Sequence, residues 1–556
     1  MGRSYFAAMA ISGAFAGLGG AMDILGWQFR LSNIDIQTSQ IGFIGIAVAL
    51  LGRNTAIGVA LASLLFGALL YGTSTRSLDP NVFAPELAGN LTLMIQALVL
   101  LFIGADLLIL YLWKTRRLPR FHLPRLSFRR RPGIADEELA ETIAAADQAK
   151  SAPPPVAERL RAWALARVPG RAQAIGLGAV VLAVAAAVVA LPPFTVRQMA
   201  VPIAIGAVAL VLGVWSGLLG QRRLGFTAAA LAVIFGALGA AATVSAVSNL
   251  ESVVVWSALT ASTLRYATPL AFAAIGGMFS ERSGVVNIGL EGMMLAGAFF
   301  AALGADQSGS WFVGILTGLA AGLGMALIHA FVSINLRADQ IVSGTAINFL
   351  GLGLSGYLFI DIYGANGTPS DLPGIPSVHL SFLDSVPYFG DAIGNLNLMI
   401  WLMFLTAIVA YFVMFRTPFG LRLRSVGEHP RAADTLGLSV YRMRYTGVLI
   451  SGALASLGGA FLSIGFVNSF GENMTAGAGF IALAALILGN WHPRGALLAA
   501  LLFGFMYAVA DRLPVYSQSL AILFPALPFV VVLIAVAGII RRPRPPASIG
   551  IPYVKQ

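Results

Sequence analysis
Long apolar runs, separated by short polar or basic stretches, recur along nearly the whole chain. They fall at about 5–25, 41–51, 56–73, 89–113, 173–191, 199–219, 224–247, 252–279, 286–303, 311–334, 340–360, 398–415, 445–466, 476–489, 495–511 and 520–540. Most approach the roughly 20 residues that a helix needs to cross a bilayer. None alternates in the way of a transmembrane barrel strand. The pattern predicts an all-α, polytopic helical membrane protein of about 16 membrane segments, because a lone span in lipid must satisfy its own backbone. The runs at 41–51 and 476–489 are too short for a full span and predict tilted, broken or re-entrant pieces.

The pattern also repeats. Residues 11–21 read ISGAFAGLGGA and residues 450–460 read ISGALASLGGA, agreeing at nine of eleven positions. GFIGIAVALLGRNTAIGVALASLLFG (42–67) lines up with GFIALAALILGNWHPRGALLAALLFG (479–504). Chance Leu and Ala matches are common in lipid. The matched pairs Gly13/Gly452, Gly19/Gly458, Gly20/Gly459, Gly52/Gly489, Gly58/Gly495 and Gly67/Gly504 say more. Glycine marks places where helices approach closely or break. Residues 1–113 are therefore read as a parallel copy of 440–540, in the same membrane orientation. The expected organisation is a four-span copy at 1–113, a basic linker at 114–172, three extra spans at 173–251, a complete domain at 252–545 and a tail at 546–556.

Composition agrees. The 556 residues are 58% hydrophobic and 11% charged, against about 25% charged in soluble domains. There is no cysteine, which excludes disulfides, thiolate zinc sites and cysteine nucleophiles. The net charge of +11 reads as a topology signal and not as a nucleic-acid footprint. Lys114, Arg116, Arg117, Arg120, Arg125, Arg129, Arg130 and Arg131 place that stretch in the cytoplasm. Counting crossings from there puts the 416–444 loop and the C-terminal arginines inside. The same count puts the 361–397 loop outside, where its acidic surface suits either a docking solute-binding protein or an ordinary solvated loop. The five histidines are scattered, so no metal site is expected. None of Lys114, Lys150 and Lys555 follows a glycine, so no standard ATP phosphate-binding loop can form.

Two constellations carry candidate chemistry. In FRTPFGLRLRSVGEHPRAADTLGLSVYRMR (415–444), Pro430 suits a first helical position and Gly437 the residue after the end. That predicts a helix over Pro430–Leu436, marginal alone and in need of a surface. Ala432, Ala433 and Leu436 would form its apolar side, with Arg431 and Asp434 as polar edges. It is read as either a knob for a soluble partner or a plain basic connector. In SERSGVVNIGLEG (280–292), Asn287 and Glu291 stand four apart, read as one helical face near the inner end. Thr345 and Asn348 share a face of the 340–360 run. These four residues are read as a solute path or as a helix lock.

The run Gly427, Glu428, Pro430, Arg431, Ala432, Ala433, Leu436, Gly437 resembles the ATPase-coupling loop of ABC importer permeases of the ribose and branched-chain amino acid superfamily. It is most similar to the nucleoside-type permeases that work with basic membrane lipoproteins. FSERSGVVNIGLEGMM (279–294), ADQIVSGTAINFLGLGL (338–354) and ISGALASLGGAF (450–461) resemble that group in the same order. The resemblance covers roughly 252–545, and 1–113 resembles the C-terminal half of the sister permease. It implies a permease without its own ATPase motif, not an enzyme, in a bacterial inner (plasma) membrane. The implied partners are ABC ATPase subunits that use ATP and Mg, an extracytoplasmic solute-binding lipoprotein, a second permease chain and the lipid bilayer. No cofactor is expected on this chain. The implied mechanism is alternating access, for nucleosides. Sugars, branched-chain amino acids and an ATP-independent transporter or channel are the alternatives. The half-copy at the start is read as a truncated reading frame.

Overall fold
The computed structural model describes residues 2–29, 41–72, 85–104, 170–244, 255–512 and 544–555, apart from positions 53, 192, 193, 195, 197, 365, 366, 370 and 387. The basic stretch at 114–131, most of the linker and the predicted span at 520–540 lie outside the described residues. The described residues form two compact units, one of 2–104, 255–512 and 544–555 and one of 170–244.

The smaller unit is a three-helix bundle of α5 (Arg171–Val188), α6 (Ala200–Leu218) and α7 (Arg222–Val244). Its core is small, with Ala183, Ala209, Leu231 and Ala232 buried. The helices touch through glycine. A Cβ at Gly225 would collide with the Gly217 backbone, and one at Gly239 with the Ala186 carbonyl. In lipid, where apolar burial gives little net drive, such close backbone packing is a main source of association.

The larger unit opens with α1 (Gly2–Asp23), α2 (Ile41–Leu51), α3 (Ala56–Gly72) and α4 (Pro85–Gly104). It continues through α8 (Trp256–Arg282), α9 (Leu290–Ser308), α10 (Trp311–Ala330), α11 (Gln340–Tyr363), α12 (Leu398–Arg416), α13 (Pro418–Glu428) and α14 (Pro430–Thr435). Then come α15 (Val440–Ala460), α16 (Ala478–Leu488) and α17 (Pro493–Ala510). Every predicted run from 5–25 to 495–511 overlaps a helix. Among the described residues, eight helices are long and apolar enough to cross a membrane and four more are shorter apolar helices. The 361–397 loop carries a three-residue antiparallel ribbon, β1 (Ser377–His379) with β2 (Asn395–Asn397), in the register Val378↔Leu396.

The core sits around α8, and α15 is wedged between α8, α9 and α10. Gly458 lies against Pro269 of α8, Gly459 against the Met294 carbonyl of α9, and Gly452 against Ala326 of α10. A Cβ at any of the three would collide, with backbone at Gly458 and Gly459 and with the Ala326 methyl at Gly452.

The repeat is visible residue by residue. α1 and α15 both end in π-helical turns, at Ile24–Gln28 and Phe461–Val467. Both turns exit through a left-handed residue, Phe29 at φ 55° and Asn468 at φ 54°. The α2–α3 and α16–α17 turns use the same hydrogen bonds. Gly52 N donates to Val48 O and Gly489 N to Ala485 O, while Asn54 N donates to Ala49 O and Trp491 N to Leu486 O. The matched residues Asn54 and Trp491 have φ of 54° and 52°. The first copy also packs through α4 on α11, which lies outside the second copy, where Gly353 and Gly356 admit Asn90 and Met94. Asn90 Nδ2 donates to Glu472 Oε1 at 2.9 Å.

Candidate solute path and coupling surface
α8 stops at Arg282, and the chain turns through Ser283 and Gly284. Gly284 has φ 93°, a conformation that suits glycine. Residues 285–287 then run into the bundle without helical structure before α9 begins at Leu290. Asn287 therefore precedes the helix, and it does not share a helical face with Glu291 as its spacing suggested. Its Nδ2 donates to Ser451 Oγ of α15 at 2.8 Å. Val286 N donates to Gln340 Oε1 at 2.7 Å. His329 Nε2 lies 3.0 Å from the Val286 carbonyl, an acceptor, so this ring nitrogen carries the proton; its Nδ1 is left to accept from Ser343 Oγ.

Asn348 closes the start of α9. Its Oδ1 accepts from Gly292 N at 2.9 Å and its Nδ2 donates to Ile288 O at 3.0 Å. Glu291 is 4% exposed. Its carboxylate accepts from Thr475 Oγ1 (2.6 Å), Gly477 N (2.8 Å) and Gly479 N (2.6 Å). The N-termini of α9 and α16 thus converge on one carboxylate, where helix dipoles favour negative charge. Asn348 stands about 12 Å along α11 from its Gln340 start, at 1.5 Å per residue. Glu291, whose neighbour Gly292 bonds Asn348, stands at about the same level. Thr345 is buried, but its hydroxyl bonds its own helix at Ile341 O, 2.8 Å away. The structure brings together Asn287, Glu291 and Asn348 around one helix start and leaves Thr345 aside.

Partly buried aromatics lie further along the bundle. Tyr266 of α8 stacks on Tyr507 of α17 at 5.9 Å between centroids and meets Phe466 edge-on at 5.5 Å. Asp511 is within electrostatic reach of Tyr266, and Glu291 of Tyr507. Gly504 lets α17 approach the α8 backbone at Thr263 and Ala267. Sequence reading missed this cluster, since aromatics far apart in the chain give no periodic signal.

At the other end, Thr417 caps α13, accepting from Gly420 N at 3.3 Å, and Pro418 takes the first helical position. α14 covers Pro430–Thr435, with Leu436 as its C-cap and Gly437 at φ 81°. Leu438 N returns to Ala433 O at 3.0 Å and Gly437 N to Asp434 O at 2.9 Å, closing the helix end. Leu436 is 81% exposed, and Arg431 and Ala432 are also exposed. Ala433 is buried among Val426, Val440 and Tyr553. It anchors the helix to the bundle and is not part of an outward apolar side, because one turn of helix sends 432 and 433 in different directions. Gly427 presses on the Arg282 carbonyl, and Glu428 pairs with Arg282 at 4.0 Å. Arg282 Nε donates to Trp491 O at 3.0 Å, and Trp491 Nε1 bonds the Glu281 carboxylate. Arg282, Glu281 and Trp491 were also missed. The alternation of Glu281 and Arg282 beside a turn is their only signal.

Residues 3–104 and 259–535 match the family model described as branched-chain amino acid transport system / permease component. The chain belongs to this family. It is a multi-pass inner-membrane permease component of an ABC transporter, and not an enzyme. It is 42% identical over 321 residues to the guanosine ABC transporter permease protein NupQ of Bacillus subtilis, covering 55% of this chain and 99% of that protein. It is 39% identical over 307 residues to the nucleoside ABC transporter permease protein NupC of Lactococcus lactis, covering 53% of this chain and 96% of that one. It is 34% identical over 288 residues to the putative glucose ABC transporter permease protein TsgC13 of Haloferax volcanii, covering 51% and 85%. No solved structure matches. Permeases of this kind draw on ATP through partner ATPases.

Proposed function
We propose that this permease imports nucleosides by alternating access. The observation that carries the reading is its 42% identity to a guanosine permease along 99% of that protein's length. The stacked Tyr266 and Tyr507 with Phe466 support it, because aromatic faces suit a flat heterocycle and the polar groups nearby suit a ribose. In this reading Asn287, Glu291 and Asn348 act as a lock that orients the two helix starts. Their polar atoms are largely spent on one another's helices. ATP and Mg bind partner ATPase subunits, which close and push on Gly427–Gly437 through exposed Arg431, Ala432 and Leu436. A solute-binding lipoprotein delivers solute at the 361–397 loop. A second permease chain and the bilayer complete the assembly, with no role for nucleic acid and no metal site.

The test is uptake competition in strains with and without the gene. Guanosine and related nucleosides should compete with labelled nucleoside. Glucose and branched-chain amino acids should not, and competition by glucose alone would replace the nucleoside reading with a sugar one. Leu436→Asp should abolish uptake while membrane level stays unchanged. Normal uptake with that variant, or purified complexes without an ATPase, would remove the coupling role.

A further inference from the structure
Residues 544–555 follow the last predicted span and would pass for a free tail. They are bonded instead to the coupling loop itself and to neighbouring parts of the bundle. Arg544 N donates to Asn490 Oδ1 at 2.8 Å. Ala547 N donates to Glu428 Oε2 at 3.1 Å, Ser548 N to Gly427 O at 2.9 Å and Ser548 Oγ to Glu428 O at 3.0 Å. Gly550 N donates to Gly284 O at 3.3 Å, and Arg444 Nη1 donates to Ile551 O at 3.0 Å. Tyr553 is 6% exposed, packs with Val426, Ala433 and Val440, and meets Tyr441 edge-on at 5.7 Å. Its hydroxyl lies within electrostatic reach of Asp434 of α14.

These contacts have a direction. A helix of six residues is not stable by itself, and the buried residue of α14, Ala433, rests partly on Tyr553. The same segment holds Gly284, the turn at the head of the irregular 285–287 stretch that leads to Glu291. A terminal segment orders only when something ties it down, and here the ties reach the α13–α14 junction, the Gly284 turn, Arg444 of α15 and Asn490.

We propose that residues 544–555 are a strap that positions the coupling helix and passes its displacement to the 284–291 segment, with Tyr553 as the positioning residue. The proposal rests on the permease reading of the coupling loop.

The test uses the complete permease with its ATPase and binding protein in proteoliposomes, comparing Tyr553→Phe, Tyr553→Ala and a chain ending at 543. In Tyr553→Ala and the shortened chain, solute moved per ATP hydrolysed should fall about three- to tenfold. Hydrolysis should continue, and the solute concentration for half-maximal uptake should not move. Tyr553→Phe, which keeps the packing and loses the hydroxyl, should lie between them and the wild type. An unchanged transport-to-hydrolysis ratio in Tyr553→Ala would overturn the proposal, whether or not the shortened chain folds. Placement is read separately. Because the chain has no cysteine, Asp434→Cys with Tyr553→Cys should cross-link within one chain through a short bismaleimide. Failure to cross-link in folded protein would also overturn the strap. If the wild type neither stimulates hydrolysis nor moves nucleoside while the cross-link forms, the permease reading fails and the strap's placement stands.

Discussion
Glu291 is a buried carboxylate made tolerable by three donors, one of them a hydroxyl and two of them backbone amides at a helix start. Glu291→Gln keeps the shape but turns an NH₂ toward a donor. It should cost about 1–3 kcal/mol, the usual penalty for an unmet buried polar group. Thr475→Val removes one donor and should cost about 1 kcal/mol. The double variant should fall short of the sum, since the two groups share one interaction; thermal melts in detergent read all three. His492 gives a pH dependence. Burial, then Arg494 and Arg282, hold its imidazole below the usual value, and its Nδ1 accepts from Arg494 N at 3.3 Å. The unfolded chain takes a proton near pH 6.5, whereas the folded chain does so only lower. The unfolded state therefore binds more protons below that pH, and stability falls as pH drops through it. Above it the contribution is complete. The melting temperature should decline below about pH 6.5 in the wild type, and His492→Gln should flatten that decline.

α14 shows what an element this short can and cannot disclose in its sequence. Pro430 and Gly437 bracket it because ring geometry and positive φ are local demands. Which alanine faces the bundle is not local, since it depends on Tyr553, which is 120 residues beyond Ala433. Ala433→Glu should lower the amount of folded permease in membranes, while Ala432→Glu should leave that amount unchanged and cut uptake. Immunoblots beside uptake assays separate the two, and equal loss of protein in both would mean that α14 is buried on every side. The span positions were legible for a similar reason: apolar length is a property of each segment. Asn287 was misplaced because spacing alone does not show that residues 285–287 leave the helix. The clamp by Asn348 and the carboxylate's partners at 475–479 come from tertiary contacts, to which periodicity is blind. The short run at 476–489 was legible as unusual, and the structure gives the reason. α16 begins at Glu291, inside the bundle, so a helix of 11 residues is enough to reach the Arg282 level.

At the scale of the molecule, the two copies share local turns and differ in what surrounds them. Gly459 of α15 presses on the Met294 carbonyl, whereas its match Gly20 of α1 has no atom within 4 Å of the position a Cβ would take, among the described residues. The pair Gly458 and Gly19 differs in the same way, with Pro269 of α8 close to the first and nothing to the second. A near-identical stretch thus leads into a similar π-helical end, but among the described residues only α15 is held between α8, α9 and α10. Gly459→Ala should therefore destabilise the purified chain by about 1–3 kcal/mol through overpacking. Gly20→Ala should be neutral or stabilise by up to about 1 kcal/mol, the helix-propensity gain of alanine over glycine. Thermal melts of the purified permease test the asymmetry, and equal losses at both positions would mean that α1 is packed as α15 is. The same two variants in the native membrane complex report what α1 meets there. If Gly20→Ala is harmless in the purified chain but lowers recovery of the assembled transporter, then α1 takes a bundle of the α8–α10 kind from elsewhere in the assembly. Its glycines would then serve the same close contacts as those of α15.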